Sequence, residues 1–148
     1  MEEGIYYPPV GFHFKAVFQG KGISGETSFK EISGLTVAIS PEEVKEGGEL
    51  RFVHRLPTVP KYSNLVLKRG LVTDSWIRSW VERAVKEFVF QPLLLTIQLL
   101  NENHKPLMSW VAYNVWPVKW EVSNFDSMSN SLVIESMELA FDYFETKS

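Results

Sequence analysis

The strongest constraint on the fold is a period of two in the apolar residues that begins at Leu132 and runs almost to the C-terminus. Val133, Glu135, Met137, Leu139, Phe141 and Tyr143 fall on one side of this stretch, and Leu132, Ile134, Ser136, Glu138, Ala140, Asp142 and Phe144 on the other. Successive side chains of a strand point to opposite faces, so the pattern specifies a β-strand and not a helix. At roughly 13 residues the strand is more than twice the usual length of about 5–6. An apolar edge that long pairs indiscriminately unless something closes it, and the expected closure is a neighbouring copy of the chain. Leu132, Ile134, Met137, Leu139, Phe141 and Tyr143 are therefore the expected subunit-seam residues.

Shorter alternations precede it. Phe12, Phe14, Ala16 and Phe18 share one face against His13, Lys15 and Gln19, and residues 20–25 then read as a glycine-rich loop. Residues 29–39 suggest a second strand with Leu35, Val37 and Ile39 aligned, ending near Pro41. Residues 41–48 are charged, close on a glycine pair, and read as a hairpin arm or exposed loop. Strands are expected again over 50–56, 65–69 and 93–100, and over 110–122 with a bend at Trp116-Pro117. A helix is expected where Trp76, Ile77, Trp80, Val81, Ala84, Val85 and Phe88 recur at three-and-four spacing, with Asp74 placed to cap it. The fold expected is mainly β: two packed antiparallel sheets, sandwich-like or barrel-like, with one flanking α-helix, in a single domain over residues 1–148.

Hydrophobic residues make up 45% of the chain and aromatics 14%, enough for a core and for an interface besides. Eighteen acidic against 15 basic residues leave a net charge of −3, which argues against a surface built to neutralise many phosphates. Without cysteine there is no disulfide framework, thiol nucleophile or thiolate metal site. The longest apolar run, Pro92-Leu93-Leu94-Leu95, is far too short for a membrane anchor, and Met1-Glu2-Glu3-Gly4 does not open a secretory signal. Synthesis in the cytoplasm is expected.

Signals for chemistry are weak throughout. His13, His54 and His104 stand about 40 and 50 residues apart, with no metal-binding spacing. Gly20-Lys21-Gly22 is no phosphate loop, Asn101-Glu102-Asn103 lacks the calcium-loop spacing, and Ser33-Gly34 reads as sheet geometry and not as a nucleophile. Neither an enzyme nor a cofactor is expected. Arg51 and Arg55 on one strand face are suited to meeting acidic loop residues of another copy, or a nucleic acid.

Several passages, in order along almost the whole chain, resemble the phage tail tube proteins of the T4-like type, including tube subunits of contractile injection systems. They are Tyr7-Pro8-Pro9-Val10-Gly11-Phe12-His13-Phe14, Phe29-Lys30-Glu31-Ile32-Ser33-Gly34-Leu35, Glu46-Gly47-Gly48-Glu49 through His54, and Leu65-Val66-Leu67-Lys68-Arg69-Gly70-Leu71. Trp116-Pro117-Val118-Lys119-Trp120 and Ile134-Glu135-Ser136-Met137-Glu138-Leu139-Ala140 follow. The resemblance implies a homo-hexameric ring in which strands of neighbouring copies complete a barrel, and rings stacked into a tube. It also implies a sheath outside, baseplate or initiator and cap proteins at the ends, DNA or protein cargo in the bore, and a final place in a phage tail or a released injection particle. Glu42, Glu43, Lys45, Glu46, Gly47, Gly48 and Glu49 would form the inter-subunit or inter-ring loop. Glu135, Glu138 and Asp142 are the expected lumen-facing acids, which would keep DNA from sticking. The alternatives are an initiator or terminator ring of the same fold and, more distantly, a soluble β-barrel ligand carrier or enzyme.

Overall fold

The computed structural model describes residues 13–45, 47–48, 51–71, 75–123 and 133–147. Among these described residues, twelve strands and one helix follow in the order β1 (His13–Gly20), β2 (Ile23–Phe29), β3 (Glu31–Ser33), β4 (Val37–Ala38), β5 (Pro41–Val44), β6 (His54–Pro57), β7 (Lys61–Tyr62), β8 (Leu65–Gly70), α1 (Trp76–Lys86), β9 (Leu93–Leu100), β10 (Pro106–Val122), β11 (Ile134–Ala140) and β12 (Tyr143–Lys147). The main sheet runs β2-β1-β9-β10-β11-β8-β3, with β12 also on β10, while β4-β7 and β5-β6 form separate two-stranded ribbons.

The two expected sheets are limbs of one antiparallel path that share β10. From Pro106 to Val115 this strand pairs with β9, and from Trp116 to Val122 with β11. Its register shifts between Ala112 and Val115 and again between Pro117 and Lys119, and Asn114 takes a left-handed φ of 56°. Extra residues of this kind bend a strand and sharpen its twist, so the path turns where the Trp116-Pro117 step predicts. Between the limbs lies the core, with Ala16, Phe18, Leu95 and Ile97 on one side and Leu65, Leu67, Met137 and Leu139 on the other. Both limbs are built from period-two strands with one face turned inward. Among the described residues the path stays open, ending at β2 and β3.

Helix α1 covers one end of this core through Ile77, Trp80, Val81 and Ala84. The N-cap is Ser75, whose hydroxyl accepts from the Ile77 amide; Asp74 lies outside the described residues. The apolar stripe is shorter than the spacing suggests. The helix ends at Lys86, Val85 is 76% exposed, and Phe88, with a φ of 53°, turns its ring outward to 81% exposure.

Two further expectations change. Residues 23–25 belong to β2, because Lys21 and Gly22 (φ 78°) alone make the turn from β1. The strand expected over 29–39 is split into β3 and β4 at Gly34, whose φ is 97°. A side chain at Gly34 would run into the Asn64 carbonyl, so the residue is required by sheet geometry.

Candidate assembly interface

Residues 134–147 form one antiparallel run along β10, interrupted opposite Asn114 and Val115 by Phe141 and Asp142. This run does not offer the seam that its length suggests. β11 is hydrogen-bonded to β10 on one side, with Met137 opposite Trp120, and to β8 on the other, with Met137 opposite Leu67. Ile134, Met137 and Leu139 therefore lie in an interior strand, and the last two are fully buried in the core. Phe141 is half-buried, with its ring 5.8 Å from that of Tyr62. Only Tyr143, stacked on Tyr113 at 4.6 Å, stands on a strand with an unpaired edge among the described residues; Leu132 lies outside them. Alternation reports which face a residue occupies and says nothing about which strands flank it. The exposed β12 edge carries Glu145 and Lys147, and the hydrogen bond from Lys147 Nζ to Glu145 at 3.1 Å raises the pKa of the lysine. Charges of this kind discourage unspecific edge pairing.

The three acids separate just as sharply. Glu135 shares the inward face of β11 with Met137 and Leu139 and is 2% exposed. It sits directly across from Arg69 of β8, itself 6% exposed, and accepts a hydrogen bond from Arg69 Nε at 2.6 Å. Arg69 also donates from Nη1 to Thr27 Oγ1 at 2.7 Å and from Nη2 to Ser75 Oγ at 3.0 Å, with its guanidinium 5.5 Å from the centre of the Phe29 ring. One cation thus ties together β2, β8, β11 and the cap of α1. Burying a charge is tolerable only when it is paired and its other donors are satisfied, and here they are. Glu135 is a core residue and not a lumen-facing acid. The sequence contained the signal: Leu65, Leu67 and Arg69 alternate onto one face, so an arginine in that series demands a buried acid. Glu138 lies on the opposite face and accepts from Asn64 Nδ2 at 2.9 Å, and Asp142 accepts from Asn114 Nδ2 at 2.6 Å.

The charged segment is an arm. β5 pairs with β6 so that Glu42 faces Leu56, Glu43 faces Arg55 and Val44 faces His54. All eight residues of the two strands are exposed, and among the described residues the ribbon packs substantially on no other element. Cross-strand partners share a face, so Glu42, Val44, His54 and Leu56 form one side, and Glu43 and Arg55 belong to the other. The Phe52 ring extends the first side, edge-on to His54 at 5.0 Å. Lys45, Gly47 and Gly48 are exposed, with Gly48 at a φ of 87°; Glu46 and Glu49 lie outside the described residues.

Elsewhere an open cleft near β1 is lined by His13, Lys15, Glu26, Arg69 and His104 among others. His13 Nε2 and His104 Nδ1 lie 3.0 Å apart, one ring donating to the other, and Lys15 pairs with Glu26 at 3.0 Å. Among the described residues no group of three or more His, Cys, Asp or Glu is arranged to hold a metal, and no helix is long and apolar enough to cross a membrane.

Residues 10–145 match the family described as T4-like virus tail tube protein gp19, and the chain belongs to that family. No curated protein matches the chain. Among solved structures, a chain in the six-fold symmetrised baseplate of the anti-feeding prophage is 27% identical, with a TM-score of 0.83 over 97% of this chain and 98% of that one. The PVC sheath-tube complex in its extended state contains a chain of 20% identity and TM-score 0.78, covering 97% of this chain and 94% of that one. The tube-terminating cap of the same prophage contains one of 20% identity and TM-score 0.75, covering 100% and 96%.

Proposed function

We infer that this chain is a structural subunit of the inner tube of a contractile phage tail or extracellular contractile injection system, and not an enzyme. Its copies form hexameric rings that stack into a tube, with sheath protein outside and baseplate and cap proteins at the ends. DNA or protein cargo passes along the bore, and the assembled particle is the chain's final location. The observation that carries this reading is family membership over residues 10–145, together with near-complete overlap with a chain of a six-fold assembly. The physical counterpart is incompleteness. Among the described residues β5 and β6 pair only with each other, and β12 leaves one edge unpaired. Pairing such edges between copies adds backbone hydrogen bonds in proportion to strand length, which gives a rigid seam. Glu138 on β11 and Asp142, in the break between β11 and β12, remain the proposed lumen-facing acids.

A second reading is an initiator or terminator ring of the same fold. It is favoured by the higher identity to the baseplate chain than to the sheath-tube chain, 27% against 20%. Negative-stain microscopy of the purified protein over a range of concentrations decides between the two. Long hollow tubes are expected for the main subunit and lone rings for an initiator or terminator, while a monomer that persists at every concentration overturns both.

A further inference from the structure

His13 and His104 are 91 residues apart in sequence, yet His13 Nε2 and His104 Nδ1 stand 3.0 Å from each other, with the ring centres 4.9 Å apart and the rings edge-on. No spacing motif foretells this pair; the fold alone makes it. His13 opens β1 opposite Leu100 of β9, and His104 sits in the turn that joins β9 to β10. That turn is closed on itself. Asn101 Oδ1 accepts from the Asn103 amide at 2.8 Å and from the Lys105 amide at 3.0 Å. The His104 amide donates to the Asn101 carbonyl and the Asn101 amide to the Lys105 carbonyl, both at 2.9 Å. An asparagine that bonds the backbone ahead of it fixes a turn. His104 is thereby held at a φ of 61°, in the left-handed region that few residues other than glycine occupy. Both rings line the open cleft near β1, His13 half-buried and His104 exposed, so the pair is accessible to a solute.

We propose that His13 and His104 form a two-imidazole site for a divalent copper or nickel ion, with His13 Nε2 and His104 Nδ1 as ligands and water from the cleft in the remaining positions. Imidazole nitrogen suits ions of this class. Two nitrogens about 2.0–2.1 Å from one ion stand about 2.9 Å apart when they subtend a right angle, and about 3.4 Å apart at the tetrahedral angle. The 3.0 Å separation fits the first case, the tetragonal arrangement of copper and nickel, better than the tetrahedral one of zinc. In the hydrogen-bonded pair one of the facing nitrogens carries a proton and the other accepts it. When the ion enters, the donating ring carries its proton on its other nitrogen, so both ligands are neutral imidazoles and no proton is lost. Each ring also turns slightly, to aim its lone pair at a point between the two nitrogens. Positive charge in the cleft does not close the site. Lys15 and Arg69 are balanced by Glu26 and Glu135, and Lys30 is exposed, free to turn its ammonium to solvent. The bound ion staples the start of β1 to the β9-β10 turn within one subunit.

The test uses the full-length chain without an affinity tag, freed of metal by a chelator and titrated calorimetrically with copper, nickel and zinc chlorides in turn. One copper or nickel ion per chain is expected, nickel binding more tightly than zinc, and electron paramagnetic resonance of the copper-loaded protein is expected to show coupling to imidazole nitrogen. His104→Asn removes one ligand and keeps a residue that tolerates the left-handed conformation; His13→Gln removes the other. Each is expected to weaken binding at least tenfold with an unchanged circular dichroism spectrum, whereas His54→Gln, on the arm, is expected to leave the affinity as it was. Nickel is expected to raise the thermal midpoint of the unaltered protein and of His54→Gln, and not of the other two variants. Dissociation constants above about 1 mM, binding that survives in both His13→Gln and His104→Asn, or a copper spectrum without imidazole coupling overturn the site. Zinc bound as tightly as nickel overturns the tetragonal assignment.

Discussion

The β11 strand and the arm carry similar sequence signatures, alternating apolar and charged residues, and both are expected from sequence to serve assembly. They prove to be opposites. β11 has a strand on each edge, its inward face is buried, and even its acid Glu135 is paired inside the core. β5 and β6 pair only with each other among the described residues, and every residue of the two strands is exposed. Alternation therefore marks amphipathic strands without revealing whether the apolar side is satisfied by the same chain or awaits another. The difference is a physical one: β11 holds the subunit together, and the arm contributes little to its core, which leaves it available for the inter-subunit role proposed above.

The sharpest way to break this contrast is at Glu135. Glu135→Ala leaves Arg69 buried without its counter-charge, and the expected loss of stability is about 3–5 kcal/mol, read as a lower urea midpoint at unchanged slope. A shift near zero would mean that the pair is solvated and Glu135 faces a bore after all. The double replacement Arg69→Met with Glu135→Leu is expected to restore most of the loss, because an apolar pair of similar volume removes both desolvation costs. Met137→Ala tests the neighbouring position by cavity formation and is expected to cost about 2–5 kcal/mol. Ser75→Ala removes the helix cap and one acceptor of Arg69, with an expected loss of about 1 kcal/mol.

Much of the fold is legible in the residues. The period of two locates β1, β8, β9, β10 and β11 to within a few positions, and the three-and-four stripe from Trp76 to Ala84 locates the helix. Pro117 predicts the bend in β10 because a residue without an amide proton cannot continue both ladders. What is not legible depends on neighbours distant in sequence. The place of β11 between β8 and β10, the burial of Glu135 and the outward turn of Phe88 all follow from packing partners or backbone geometry that local spacing does not encode. Phe88 has the correct spacing for the helical stripe and leaves it only because the helix stops at Lys86.

The smallest expected effect on the isolated subunit is at Leu56. Leu56→Ser replaces a half-exposed arm residue that is paired across the ribbon with Glu42 and packs on no core side chain, so monomer stability is expected to change by no more than about 0.5 kcal/mol. Assembly is expected to fail at concentrations where the unaltered protein forms rings or tubes, measured by sedimentation velocity and microscopy on the same samples. The two readouts are independent, which makes the arm the counterpart of β11, where stability and assembly must fall together because the subunit itself unfolds. If Leu56→Ser lowered the urea midpoint as far as Met137→Ala does, the arm would be packing against its own chain in solution, and the contrast between the two regions would disappear.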